Sequence, residues 1–102
     1  MITEEMIPQI EKVFGFQLYD YQKEYILGKS NTYPKGRRNG KTFAYCIRLL
    51  LSDGAPIPRT LKTLRRRADA YIDENYTYWF ARYLLELNDK LVEAGFKTRI
   101  KS

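Results

Sequence analysis

A chain of 102 residues suffices for one small domain with one core, and a composition 44% hydrophobic and 15% aromatic predicts a folded chain. Histidine is absent and Cys46 is the only cysteine, which excludes histidine acid–base catalysis, Cys/His zinc sites and an internal disulfide. The net charge of +6 is unevenly spread: residues 29–67 hold eleven Lys/Arg against one acid, Asp53, and the remainder hold seven bases against eleven acids. A middle segment this basic suits a phosphate-bearing partner, the alternative being a solvated helix face. With no secretory leader and no apolar run near 18 residues, the expectation is a cytosolic setting without a membrane span.

In chain order, Ile2 to Phe14 is predicted to contain a first helix. Pro8 sits in its first turn and Ile10, Val13 and Phe14 share a face. Gly15 supplies the stop, with Phe16 folding back on Ile10. Asp20 is expected to cap a short helix from Tyr21 to Leu27, closed by Gly28 and leaving Gln22 exposed near its start. Residues 29–39 read as a loop. Asn39 is a good cap for a third helix to about Ser52, with Phe43, Ile47, Leu50 and Leu51 as its buried stripe and Ala44 beside them. Tyr45 and Arg48 fall towards its other side. Cys46 on this helix reads as a buried thiol.

Ser52 to Pro58 is a turn linker. A fourth helix is expected from about Arg59 to Ile72, with Leu61, Leu64, Ala68 and Tyr71/Ile72 recurring at helical spacing. Lys62, Arg65, Arg66 and Asp69 point elsewhere, with Arg67 completing the triple-arginine block. Such an arginine-rich outer face suits a nucleic-acid backbone, or the second helix of a helix-turn-helix unit. Asp73-Glu74-Asn75 is expected to break or kink that helix before a last one, Tyr76 to Ala94. Its stripe is Tyr76, Phe80, Tyr83/Leu84, Leu87, Leu91 and Ala94, read as core ahead of dimer seam. Gly95 and Phe96 suit a Schellman ending, and Lys97 to Ser102 form a basic tail, either a short strand or frayed. The fold class is thus mainly α: a single domain, residues 1–102, of four or five helices with a glycine/arginine-rich loop.

That loop carries the chemistry. Gly36-Arg37-Arg38-Asn39-Gly40-Lys41-Thr42 runs into the third helix. Gly-Lys-Thr at a helix start suits phosphate: Gly40 admits close backbone approach, Lys41 supplies charge and Thr42 offers a hydroxyl to Mg²⁺. A lysine at a helix N-terminus is electrostatically unfavourable by about a few tenths of a kcal/mol, and a bound anion removes that penalty. The segment resembles the shortened P-loop of phage terminase large subunits. Leu18 to Ile26 is similar to the adenine-reading glutamine segment of terminases and superfamily-two helicases. The resemblance spans about residues 16–51. It implies Gln22 on adenine, Lys41 and Thr42 on phosphate and metal, and Arg37 or Arg38 near a γ-phosphate, with ATP and Mg²⁺ as the possible ligands.

Gly36 and Gly40 enclose three residues where the standard pattern has four. The approach from Lys29 to Lys35 is polar and contains Pro34, and no βα units follow. Ala70-Tyr71-Ile72-Asp73-Glu74 is a decoy for the acidic motif, its run broken by Asp69 and the arginines. The expectation is therefore a phage- or prophage-type nucleic-acid-binding protein with a terminase-like phosphate loop and no independent motor activity. Its binding residues would be Gly36, Arg37, Arg38, Asn39, Gly40, Lys41, Thr42 and Gln22 for phosphate or nucleotide. Lys35, Arg48, Arg59, Lys62, Arg65, Arg66 and Arg67 would meet DNA, RNA or a partner. Two alternatives stand beside it: a small inhibitor of a host nucleic-acid machine, such as an anti-CRISPR or other anti-defence factor, and a P-loop nucleotide hydrolase.

Overall fold

The computed structural model describes residues 2–29, 41–68 and 71–100, and of Lys41 the backbone alone. Five helices occur among them: α1 (Met6–Phe14), α2 (Asp20–Ile26), α3 (Lys41–Leu51), α4 (Leu61–Arg65) and α5 (Glu74–Glu93). The chain is mainly α, as its apolar spacing predicts. Ile10, Ile47, Leu50, Phe80, Leu84 and Leu91 are fully buried in one shared core, and Cys46 lies there too. α3 packs chiefly on α2 and α4 on α5, while α1 and α3 both reach α5.

The stops follow local chemistry. At the end of α5, Gly95 takes φ 100°, a left-handed conformation that glycine adopts without a Cβ penalty. Its N–H donates to the Val92 carbonyl at 3.0 Å and the Phe96 N–H to the Leu91 carbonyl at 2.9 Å, the bonding of a Schellman motif. At the other end the Asp73 carboxylate accepts from the Tyr76 N–H at 2.7 Å, so the predicted helix break falls at Asp73, the N-cap of α5, with Glu74 and Asn75 already helical.

Three expectations are refined. Phe16, expected to fold back on α1, is half-exposed and meets Phe43 edge-on, centroids 5.1 Å apart. The fourth helix is five residues long and starts after Thr60, whose hydroxyl accepts from the Thr63 N–H. Beyond Arg65 the chain tightens into i→i+3 bonds, Arg66 to Thr63, Arg67 to Leu64 and Ala68 to Arg65, at 3.2, 3.0 and 3.3 Å. Only Leu64 of its supposed stripe is fully buried, and Tyr71 and Ile72 stand 76% and 69% exposed. The tail, in turn, is docked through Ile100: Ile57 and Ile100 are both buried and form a parallel bridge. The Ile57 N–H donates to the Arg99 carbonyl at 2.6 Å and the Arg99 N–H to the Leu50 carbonyl at 2.9 Å, fastening the linker and tail to the end of α3.

Candidate nucleic-acid interface

α3 is the pivot of the site, because helical spacing sends neighbouring residues of its first turns to different partners. Phe43 is buried against Phe14 and Phe16 and borders a cleft of about 670 Å³ shared with Tyr83 of α5. Two residues on, Tyr45 turns the other way. Its ring lies 6.1 Å from that of Phe80, and its hydroxyl donates to the Arg67 carbonyl at 3.0 Å. This bond brings the turn after α4, where the triple-arginine block ends, against the first half of α3.

α4 itself is antiparallel to α5. Near one end Arg59 grips Asp89, and near the other the Arg65 Nε donates to the Thr77 hydroxyl at 3.1 Å. Leu64 is the anchor between them. The predicted cations thus divide. Arg59 makes two parallel bonds to the Asp89 carboxylate, 3.0 and 3.1 Å, which hold the carboxyl below and the guanidinium above their ordinary pKa values. Arg65 is half-buried against Thr77, whereas Lys62, Arg66 and Arg67 are exposed. Lys29, at the start of the basic segment, pairs with Glu4.

Two of the predicted site residues make contacts within the chain. Gln22 is 2% exposed, where a surface residue was expected. Its side-chain oxygen accepts from the Tyr19 N–H at 2.9 Å while its own N–H donates to the Tyr19 carbonyl at 3.0 Å, so it closes the start of α2. Arg48 is half-buried with its guanidinium 4.7 Å from the centre of the Tyr25 ring, a cation–π contact joining α3 to α2. The recognition-helix idea also falls: five residues extend about 7.5 Å, too short to lie along a groove. Thr42 is half-buried in the first turn of α3. Lys35, Gly36, Arg37, Arg38, Asn39, Gly40 and Asp69, with the Lys41 side chain, lie outside the described residues.

An aromatic flank of α5 goes unmarked by the sequence reading. Trp79 stacks on Tyr83 and meets Tyr76 at a tilt of 33°, and Trp79 is 49% exposed. The signal is present in their i, i+3, i+7 spacing, but Tyr76 and Tyr83 also fit the core stripe, which hides it. Among the described residues no group of acids and cysteine is placed to hold a metal, and no helix is long and apolar enough to cross a membrane. No known family, curated protein or solved structure matches the chain.

Proposed function

We propose that the chain binds nucleic acid through phosphate contacts from the Arg66–Arg67 turn and Lys62, with the start of α3 beside them. The observation that carries this reading is the Tyr45–Arg67 bond, which joins the turn after α4 to the helix that the basic loop enters. Exposed cations gathered from separate segments act by neutralising phosphates and releasing counterions, without reading bases. In this reading the Gly36–Thr42 segment, terminase-like in sequence, is a phosphate loop that adds to the same surface. ATP hydrolysis is not part of the proposal, because Asp73 is engaged as the α5 cap. Titration of the chain against duplex and single-stranded oligonucleotides across a salt series tests it: steep salt dependence is expected, and no binding at low salt rejects it.

A second reading, an inhibitor of a host nucleic-acid machine, draws on the exposure of Tyr71 and Ile72 between the arginine block and α5. Recovery of one protein complex from the host that persists after nuclease treatment favours it over direct nucleic-acid binding.

A further inference from the structure

α5 is covered along one side only. Phe80, Leu84 and Leu91 are completely buried, whereas Tyr78 and Trp79 are 43% and 49% exposed on the opposite side. Arg82, Glu86 and Lys90, all exposed, follow them at intervals of about one turn. Tyr78, Trp79, Arg82, Leu85 and Glu86 line a groove of about 650 Å³ along this side. The Trp79 ring lies between those of Tyr76 and Tyr83, 5.7 and 5.0 Å away, so it offers a rim and not a face, already fixed in place. Ordering such a side chain on docking costs little.

The two central charges of this side do not pair with each other. The Arg82 guanidinium turns back to Tyr78, 5.8 Å from the centre of its ring, with one nitrogen 3.4 Å from its hydroxyl. Glu86, one turn ahead, makes no ion pair among the described residues. A base four positions before an acid is the weaker order for a pair within one helix. A second helix running the other way suits both charges better. A two-fold axis midway between Arg82 and Glu86, about 6 Å apart along the helix, sets each Arg82 against the other copy's Glu86. The same axis brings the rim of Trp79 to the aliphatic stem of the other copy's Lys90. A parallel pair in register would oppose like charges at both positions. We propose that the chain forms a reversible homodimer by antiparallel packing of the exposed sides of α5.

Charge favours a second copy over a nucleic acid as the occupant. α5 holds four acids and two bases, so it repels phosphates, and it lets two chains of net charge +6 meet away from the basic segment 29–67. The strip is about 30 Å long and about 10 Å wide, less than the roughly 800 Å² per partner of a standard interface. The dimer therefore dissociates readily, with an expected Kd between about 10 μM and about 1 mM. Dimerisation in this form is independent of nucleic-acid binding.

Sedimentation equilibrium of the full chain, freed of nucleic acid, from about 10 μM to about 1 mM measures the association. Monomer and dimer in concentration-dependent exchange are expected. Arg82→Glu sets acids against acids and Glu86→Arg sets bases against bases, so each variant alone should have its Kd raised about tenfold or more. An equimolar mixture of the two should dimerise again, because every acid then meets a base. The doubly substituted chain should do so by itself. Both positions are exposed, and unaltered circular dichroism shows that the fold is kept. Recovery on mixing is the result that neither misfolding nor a dimer built through another surface produces. A chain that stays monomeric throughout the range overturns the proposal. So does a dimer whose strength ignores both reversals, or a pair of variants that fails to recover on mixing.

Discussion

Arg59 holds Asp89 across 30 residues of sequence through two parallel N–H···O bonds of 3.0 and 3.1 Å. The pair ties the start of α4 to α5 and engages the Arg59 guanidinium within the chain. Because both groups are well exposed, it stabilises the fold by about 1 kcal/mol or less at low salt. Arg59→Ala should lower stability by that amount in urea melts and leave oligonucleotide affinity nearly unchanged. The Asp89 carboxyl is held below its ordinary value of 3.8 by Arg59. Its contribution is therefore present above about pH 4 and lost as pH falls through the lowered pKa. Asp89→Asn should flatten that acid limb, measured by comparing melts at about pH 6 and about pH 3.

Arg66 and Arg67 should behave differently. Both are exposed, so replacing them by Ala leaves stability within about 0.5 kcal/mol. For every phosphate that is no longer neutralised, the slope of log K against log salt should fall by about 0.9 on duplex or about 0.7 on a single strand. The weakening should be uniform across sequences. An unchanged slope in the double variant removes this turn from the interface.

Asp73 is predicted to act through structure. Asp73→Ala removes the bond to the Tyr76 N–H and should cost about 1 kcal/mol, with Asp73→Asn or Asp73→Ser restoring most of it. Thermal melts of the three variants check this. Equal loss of stability in Asp73→Asn, Asp73→Ser and Asp73→Ala, or no loss in Asp73→Ala, would contradict the capping role.

Burial pushes the Tyr83 hydroxyl up to about 12 from an ordinary 10.0. A raised folded-state pKa means that the unfolded chain releases this proton first. The contribution is complete below about pH 10 and is lost as pH rises towards 12. In an ultraviolet titration of tyrosinate, Tyr83→Phe should abolish the latest-ionising step and leave the earlier ones in place. Ionisation of Tyr83 with the exposed tyrosines would show that its ring is open to water.

Leu64 is the only fully buried side chain of α4. A five-residue helix has no independent stability, so its position depends on this anchor. Leu64→Ala should cost about 2–5 kcal/mol by the usual cavity and transfer terms. It should also weaken oligonucleotide binding, because the arginine turn follows directly. Chemical denaturation and titration of the same preparation measure both effects.

Much of the architecture is legible in the sequence because it is local. The Phe80, Leu84, Leu87 and Leu91 spacing marks the buried side of α5, and the stripe from Phe43 to Leu51 marks that of α3. Gly15, Gly28 and Gly95 announce stops through backbone conformations that each controls alone. The overlong expectation for α4 has a related origin. Leu61, Leu64, Ala68 and Ile72 have helical spacing, but periodicity records where apolar residues recur and not whether a neighbour covers them. With Ile72 exposed, nothing offsets the entropy of a longer helix.

What the sequence determined by itself, then, is a mainly helical chain with its charge concentrated between residues 29 and 67, since both follow from residue type and near-neighbour spacing. Which polar side chains are engaged within the fold was decided by tertiary structure alone. Arg59 is committed by a carboxylate 30 residues away, Arg48 by the ring of Tyr25, and Gln22 by the closure of its own helix. Arg67 is drawn to the start of α3 by a hydroxyl 22 residues earlier in the chain. A side chain's charge is intrinsic, but its availability depends on partners that only the folded chain brings within hydrogen-bonding range.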